Sequence, residues 1–260
     1  MKGCVPILMY HQVAPRPRPV FRKYAVTPNA FAAQMKWLAV TGHTPITLDV
    51  LLAHRSGQCP LPPRPIVITF DDGFQDCIDY AVPIMRALGF TAIFYLVAGL
   101  VGKTSRWLLS ERGIELPLMD WTAARRLEAA GFQCGSHTMN HPHLAELTPA
   151  ACREELLTSR YVLEDHLGHE IRHLAYPFGS FNQRVRDLAL ETGYRSASSV
   201  RIGLSSLDDD SLALHRIHVT GQDSLLDFIC RLRSAHSVGE WLNSKAAHIC
   251  QWIRRTEAAS

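Results

Sequence analysis

The sequence predicts an α/β fold in the form of one barrel of about seven strand–helix units. The chain has 260 residues, of which 47% are hydrophobic and 20% are charged. A soluble chain of this size can bury a full core, and a single α/β barrel commonly fills such a length. Short apolar runs alternate with helical patterns along the chain, which is typical of strands and crossover helices around a parallel sheet.

Each predicted strand is a short apolar run bounded by turn residues. The seven runs are Pro6–Tyr10, Pro65–Phe70, Ala92–Val97, Phe132–Ser136, His173–Tyr176, Arg195–Ser199 and Leu212–Val219. Helices are predicted to begin after Thr27, Thr122, Thr148 and Asn182, because these side chains can accept a hydrogen bond from a first helical turn. In a parallel barrel the chemistry lies where strands end.

Three segments lack this periodicity and are predicted to be loops: 14–22, 57–65 and 99–118. The barrel is expected to occupy residues 1–222, and residues 223–260 are expected to form a helical extension packed on it. Apolar residues recur at near-helical spacing between Val238 and Arg255. This pattern favours a helix lying across the barrel over a helix lying on a membrane surface.

The composition argues against several classes of protein. A net charge of +3 without a clustered basic face argues against nucleic-acid binding. Seven scattered cysteines without a C-x-x-C pair indicate neither a disulfide framework nor a zinc knuckle, and favour a reducing compartment. The first apolar run is broken by Pro6, and no run approaches about 18 apolar residues, so no signal peptide or transmembrane segment is expected. A cytoplasmic protein is predicted.

The second predicted strand ends at two adjacent carboxylates, Asp71 and Asp72, followed by Gly73. Neighbouring acids repel each other, and a divalent cation can compensate by lowering the pKa of one carboxylate while the other stays ionised as a base. The alternative is a solvated Asp-Gly turn that only ends the strand.

The fourth predicted strand is followed by His137 and His141, four residues apart. On one helical turn this spacing puts both imidazoles on the same side, where they can share a metal. Thr138 occupies the position of the acid in H-E-x-x-H, which excludes that zinc-protease pattern. A histidine pair alone is also common in cores and on surfaces. Combined with an acidic pair at another strand end, it favours a metal site with two histidines and one carboxylate.

The segments Thr69–Gly73 and His137–His141 together resemble the first two motifs of the polysaccharide deacetylase family, also called the NodB-homology domain or carbohydrate esterase family 4. The segment Asp120–Gly131 is similar to that family too, and the resemblance runs from about Pro6 to Val219. It implies a distorted (β/α)7-type barrel. It also implies a metal-dependent hydrolase that removes the N-acetyl group from an N-acetylhexosamine of a polysaccharide, oligosaccharide or glycoconjugate.

The resemblance implies a role for each matching residue. Asp71 resembles the general base, whereas Asp72, His137 and His141 resemble the three ligands of one divalent metal. Zinc is the first choice, and cobalt, nickel or iron could occupy the same ligands. Thr138 resembles a residue that braces the histidine loop by hydrogen bonding.

The segment that starts at Ala175 resembles the third motif of the family, whose last aromatic residue gives a backbone N–H to the oxyanion. The resemblance implies this role for Phe178, with Tyr176 and Pro177 beside the substrate. Ala175 stands where the family usually has an arginine that steadies the catalytic aspartate. We predict that Arg216 supplies the missing cation.

The general acid of the family lies in a Leu-x-His strand near the far end of the chain, and no such segment follows Val219. The segment Ile7–His11 has that character instead. It resembles the branch that deacetylates poly-N-acetylglucosamine, in which the order of elements is circularly permuted. His11 is therefore the predicted acid, with its protonated form favoured by nearby carboxylates, and His218 is the alternative.

Two other functions remain open from the sequence. The same machinery could act as a deacylase or deformylase of a nucleotide- or lipid-linked amino sugar, with Arg16, Arg18, Arg22 and Lys23 meeting a phosphate. Such a basic run is also common in a solvated loop. The missing third-motif arginine leaves a catalytically silent carbohydrate-binding barrel as a further alternative. The expected partner is a carbohydrate that contains an N-acetylated amino sugar.

Overall fold

A computed structural model describes residues 3–241 of the chain. Seven parallel strands form a closed barrel in which β1 pairs with both β2 and β7. This architecture confirms the predicted (β/α)7-type barrel. The barrel strands are β1 (Ile7–Tyr10), β2 (Pro65–Phe70), β3 (Ile93–Leu96), β4 (Gln133–Ser136), β5 (His173–Ala175), β6 (Ser196–Ile202) and β7 (Leu214–His218).

Helices connect the strands and surround the barrel. They are α1 (Pro28–Val40), α2 (Leu48–Arg55), α3 (Val82–Ala87), α4 (Trp107–Arg112), α5 (Trp121–Ala129), α6 (Pro149–Leu167), α7 (Gln183–Glu191) and α8 (Leu225–Ser234). Two-residue strands add small sheets outside the closed barrel, at residues 4–5 with 205–206 and at residues 12–13 with 25–26.

Three of the four predicted helix caps are present. The side chains of Thr27, Thr148 and Asn182 each accept a hydrogen bond from the backbone N–H three residues further on. The prediction for Thr122 is wrong, because Asp120 accepts the capping bond at 2.7 Å and α5 already begins at the next residue. Both residue types can cap a helix, and only the backbone geometry decides between neighbours.

The prediction of a loop over residues 99–118 is also wrong, since α4 lies inside that segment. Trp107 and Leu108 of this short helix are buried against the core. Gly113 then ends the helix in the left-handed conformation. A helix of this length is stabilised by tertiary burial and is too short to show a clear helical period. The sequence therefore contains no signal from which α4 could be predicted.

The alternation along β2 explains how the site is placed. Ile66, Ile68 and Phe70 belong to the apolar layer between the barrel and the helices, whereas Val67 belongs to a second cluster inside the barrel. Because side chains on a strand alternate, the inner face continues through positions 69 and 71. Asp71 therefore arrives at the carboxyl end of the barrel on its inner face.

The helix α8 packs against the barrel layer through Phe228, whose ring lies edge-on to Trp37 of α1 at 6.3 Å. Residues 242–260, which include most of the predicted tail helix, lie outside the described residues. The boundary at residue 222 therefore stays a prediction.

Between residues 3 and 241, no helix is long and apolar enough to cross a membrane.

Candidate active site

A cavity of about 260 Å³ opens at the carboxyl ends of the barrel strands. Its wall contains the side chains that the sequence singled out at these strand ends: His11, Asp71, Asp72, His137, His141, Tyr176, Phe178 and His218. Two further segments supply other parts of the wall, through Phe21, Lys23, Tyr24, Trp107, Leu108, Glu111 and Arg112. Barrel closure therefore brings together residues that are far apart in the sequence.

Asp71 is held by the buried guanidinium of Arg216. The arginine donates from Nη1 to Oδ1 and from Nη2 to Oδ2 of the carboxylate, each at 2.7 Å. Its Nη1 also donates to Thr69 Oγ1 at 3.0 Å, and its Nε donates to the Ser199 carbonyl at 2.8 Å. Burial raises the pKa of Asp71, but the Arg216 charge and hydrogen bonds outweigh this and hold the pKa below its usual value.

Asp72 faces the two histidines instead. Its Oδ1 lies 3.4 Å from His137 Nε2 and 3.3 Å from His141 Nε2. Burial raises the pKa of Asp72, but the close contacts with both imidazoles outweigh this and hold the pKa well below its ordinary value. Burial also lowers the pKa of His141 to about 4, so this imidazole is neutral near pH 7.

These three side chains fit a divalent cation. One donor atom from each lies within 4.8 Å of the others, and all three residues are buried. His137 Nδ1 donates to the Ala175 carbonyl at 2.8 Å, which leaves the lone pair of Nε2 directed at the cluster. Two imidazole nitrogens and one carboxylate oxygen form the donor set of a three-ligand site with an open position.

Unusual backbone conformations are concentrated at this site. Asp72, Thr138, His141 and Phe178 have φ values of 74°, 65°, 63° and 57°, in the left-handed region that L residues rarely adopt. Such residues cost on the order of 1–3 kcal/mol each and persist only where the surroundings hold them. The surrounding fold thus stabilises sharp turns that direct the site side chains into the cavity.

The loop that carries the histidines is braced from within. Thr138 Oγ1 accepts a hydrogen bond from the backbone N–H of His141 at 3.1 Å. Ser136 Oγ in turn accepts from the Thr138 N–H at 3.2 Å. Thr138 therefore makes a bond of the kind that the resemblance implied.

Two further residues support this loop, and neither was predicted from the sequence. Glu155 of α6 accepts hydrogen bonds from the backbone N–H groups of Met139 and Asn140, both at 3.0 Å. Trp107 of α4 stacks on the His141 ring with centroids 4.3 Å apart. Neither residue carries a local signal, because one is an ordinary helix glutamate and the other lies in a segment without periodicity.

His11 and His218 both line the cavity but differ in their hydrogen bonds. The ring nitrogens of His11 make no hydrogen bond within residues 3–241, whereas His218 Nε2 donates to the Val200 carbonyl at 2.9 Å. Burial lowers the pKa of His11 and outweighs the opposite effect of the Asp72 and Asp71 charges. The prediction that nearby carboxylates favour the protonated form of His11 is therefore wrong. Burial also lowers the pKa of His218 to about 4.

The third-motif residues occupy different positions. The Phe178 ring lines the cavity, stacks on His143 at 4.0 Å and lies edge-on to His141 at 4.5 Å. Tyr176 borders the cavity, but its hydroxyl donates to the Leu212 carbonyl at 2.9 Å. Pro177 is buried, and it is not among the residues of the cavity wall. Their roles toward a substrate stay predictions.

The central part of the sequence matches the profile of a known protein family. The sequence profile of the polysaccharide deacetylase family matches residues 59–197. His11 and Arg216 lie outside this matched segment, at opposite ends of the barrel sequence.

Several relatives are similar over longer stretches. A candidate polysaccharide deacetylase of Bacillus subtilis, YxkH, is 27% identical over 222 residues, which cover 83% of this chain and 71% of the relative. The poly-beta-1,6-N-acetyl-D-glucosamine N-deacetylase of Staphylococcus epidermidis is 22% identical over 76% of this chain and 69% of its own length. The enzyme of the same name from Escherichia coli K12 is 26% identical over 57% of this chain and 23% of its own length.

Solved structures establish the same fold. The Streptococcus pyogenes deacetylase PplD in complex with acetate superimposes with a TM-score of 0.76 at 24% identity, over 88% of this chain and 98% of that one. IcaB from Ammonifex degensii superimposes with a TM-score of 0.75 at 22% identity, over 90% of this chain and 98% of that one. Since the family profile covers more than half of the sequence, the chain belongs to the polysaccharide deacetylase family.

Proposed function

We propose that the protein is a metal-dependent hydrolase that removes the N-acetyl group from an N-acetylhexosamine and releases acetate. One observation carries this proposal: a cluster of three candidate metal ligands lies beside a carboxylate that an arginine holds, and both line one cavity. Relatives named as N-deacetylases of poly-N-acetylglucosamine support an amino-sugar polymer as substrate.

Asp72, His137 and His141 would hold one divalent cation, with zinc as the first choice and cobalt, nickel or iron as alternatives. Such a cation polarises a carbonyl oxygen and lowers the pKa of water toward about 7. The neutral state of His141 leaves its nitrogen lone pair available, and the hydrogen bond from His137 to Ala175 fixes the direction of the second imidazole.

Asp71 is the proposed general base, which accepts a proton from the attacking water. The two bonds from Arg216 keep the carboxylate ionised and fix the direction of its oxygens. In this proposal Arg216 replaces the arginine that the family usually carries at the position of Ala175. The two adjacent acids then have separate partners and separate roles, and these partners hold both pKa values below the ordinary value, so that both carboxylates are ionised.

The backbone N–H of Phe178 would donate to the oxyanion of the tetrahedral intermediate, and His11 would protonate the departing amine. The ring nitrogens of His11 have no competing hydrogen bond in the described part of the chain, which supports this choice over His218. A lowered pKa makes the imidazolium of His11 a stronger acid toward the leaving nitrogen.

An acetate-release screen tests the proposed function. The substrates would be chitooligosaccharides, poly-N-acetylglucosamine, peptidoglycan fragments and nucleotide- or lipid-linked N-acetylhexosamines. We expect release that a chelator abolishes and that added zinc or cobalt restores. No release from any of these substrates with any of the four metals would favour the catalytically silent carbohydrate-binding barrel.

We propose a cytoplasmic location, in line with the reducing compartment that the scattered cysteines favour. The six cysteines in the described part of the chain are free thiols, at positions Cys4, Cys59, Cys77, Cys134, Cys152 and Cys230. Free thiols are typical of reducing compartments. Immunoblotting of separated cell fractions tests the location directly.

A further inference from the structure

We infer that the substrate carries an anionic group, a carboxylate or a phosphate, next to the N-acetylated residue, and that Lys23 and Arg112 bind it. This inference rests on the proposed function and adds the chemical class of the substrate. It follows from the position and the partners of two cations in the wall of the cavity.

Both cations lie one aromatic side chain away from the proposed general acid. The Tyr24 ring is 5.2 Å from the His11 ring, measured between centroids. The same Tyr24 ring also contacts both cations: its centroid lies 4.8 Å from Arg112 Cζ and 5.8 Å from Lys23 Nζ. A group bound there would belong to the neighbouring sugar or to the carrier, not to the acetyl group itself.

Neither cation has an anionic partner among residues 3–241. Arg112 donates from Nη2 to the Tyr24 hydroxyl at 3.2 Å and from Nη1 to the Val20 carbonyl at 3.5 Å, and both acceptors are neutral. The Lys23 ammonium group lies over the face of the Tyr24 ring and makes no hydrogen bond or ion pair with the described residues. Their charges thus remain available to a ligand, and hydrogen bonds from a cation to a carboxylate or phosphate are about twice as strong as neutral ones.

One acid, Glu111, also lines this part of the cavity. Its Oε1 lies 3.7 Å from His143 Nε2, on the side of Phe178 rather than of Tyr24. The other two acids of the wall have partners of their own, since Arg216 binds Asp71 and the two imidazoles face Asp72. Around Tyr24, two cations therefore stand against Glu111 alone. Glu111 should therefore oppose anion binding, and its removal should have the opposite effect to removal of a cation.

The chain offers a matched control. Arg22 precedes Lys23 in the same exposed turn, but its side chain is not part of the cavity wall. Arg16 and Arg18, which the sequence also offered as phosphate ligands, lie outside the wall as well. Removal of the Arg22 charge therefore measures the general effect of a positive surface on anion binding. Removal of the Lys23 charge measures, in addition, the loss of a direct contact with the anion.

The test compares three substrates that share N-acetylglucosamine: neutral N,N′-diacetylchitobiose (here called chitobiose), a disaccharide with a glucuronate neighbour, and N-acetylglucosamine 1-phosphate. The measured quantity is the ratio of kcat/KM for each anionic substrate to kcat/KM for chitobiose. We expect this ratio to exceed one in the metal-loaded wild-type protein. A preference for the glucuronate substrate would indicate a charged polymer, whereas a preference for the phosphate substrate would indicate a phosphate-linked carrier.

Lys23→Gln and Arg112→Gln should each lower the ratio roughly threefold to tenfold through KM, as expected for loss of a partly exposed ion contact. Arg112→Lys should keep most of the ratio, which separates loss of charge from loss of packing. Glu111→Gln should raise the ratio, Arg22→Gln should leave it unchanged, and added salt should reduce the wild-type ratio.

Two results would overturn the inference while leaving the deacetylase function intact. The first is a wild-type ratio at or below one for both anionic substrates when chitobiose is deacetylated. The second is an equal fall of the ratio in Arg22→Gln and Lys23→Gln. If no substrate in the full acetate-release screen yields acetate, the proposed function fails first, and the inference fails with it.

Discussion

Single residues in the cavity give two adjacent carboxylates different environments. Asp71 is bound on both oxygens by the Arg216 guanidinium, while Asp72 faces two imidazole nitrogens. The left-handed backbone of Asp72, with φ of 74°, turns its side chain away from that of its neighbour. Different partners therefore permit different roles for identical side chains.

Asp71→Asn is expected to keep bound metal and to lose turnover, because the amide preserves the shape of the side chain but cannot accept a proton from water. Asp72→Asn should lose metal. Metal content by mass spectrometry and acetate release from the same preparations check both statements. If Asp71→Asn lost the metal and Asp72→Asn kept it, the two roles would have to be exchanged.

His137→Ala and His141→Ala should each remove bound metal together with activity, because a site with three protein ligands loses its geometry when one is removed. His169→Ala is the matched control, since this histidine lies on the surface against Glu128. The control should keep both metal and activity. Full metal content in both ligand variants would reject the site.

The half-buried histidine at the end of β7, His218, gives a prediction about stability and pH. The pKa of His218 is lowered to about 4 in the folded protein, whereas an unfolded histidine titrates near about 6.5. A histidine whose pKa is lower in the folded state contributes stability at pH values above its unfolded-state pKa. This contribution is lost as the pH falls through the folded-state pKa.

We therefore expect wild-type protein to lose up to about 2–3 kcal/mol of unfolding free energy relative to His218→Gln between pH 6.5 and 4. Urea unfolding of both proteins across this range measures the difference. Parallel curves over the whole range would contradict the assigned shift, because His11 and the other acid-sensitive groups are common to both proteins.

Among the elements, α6 has a positional role that its own sequence does not reveal. Glu155 on this helix accepts two backbone N–H groups from the histidine loop and a third bond from Asn140 Nδ2 at 2.6 Å. Gly99 also lies against this loop, so close that an added Cβ would stand 2.7 Å from the Met139 carbonyl. Contacts with a helix and with a tight turn thus hold the loop in place.

Glu155→Ala should weaken metal binding by about 10–100-fold, as is typical when a group that orients metal ligands is removed. The orphaned backbone N–H groups should also cost about 1–3 kcal/mol of stability. Glu154→Ala, an exposed neighbour on the same helix, is the control and should change neither quantity. Metal titration against a competing chelator measures the affinity. Equal affinities for the two variants would refute the role of α6.

At the scale of the whole molecule, barrel closure determines which residues share the cavity. The strand β1 lies between β2 and β7, and its register pairs Tyr10 with Phe70. The next residues are His11 and Asp71, and the Asp71 N–H donates to the Tyr10 carbonyl at 2.9 Å. The N-terminal histidine thus ends beside the carboxylate at the same end of the barrel.

His11→Ala should keep metal and substrate binding but lose about 10²–10⁴-fold in turnover, the usual contribution of a positioned acid. The loss should shrink for an aryl acetate ester, whose leaving group needs no proton. Kinetics on both substrates, together with metal content, test this. Normal amide turnover in His11→Ala combined with its loss in His218→Ala would move the acid to the C-terminal side.

The sequence by itself determined the barrel class, the seven strands and the two motifs that carry Asp71, Asp72, His137 and His141. These features were readable because strand alternation and short motifs depend on residues close together in the chain. The predicted strands match the observed ones to within a few residues, with β6 extending three residues further, to Ile202. Local periodicity could not reveal α4, whose stability comes from burial of Trp107.

The tertiary structure alone decided the partners of these residues. Arg216 binds Asp71 across 145 positions, Glu155 reaches the histidine loop from α6, and Lys23 and Arg112 meet around Tyr24. The sequence could nominate Arg216 but not its contact, since which strand ends meet depends on the order and register of the closed sheet. Burial likewise set the direction of the His11 pKa against the expectation from nearby charges, because desolvation is a property of the packed molecule.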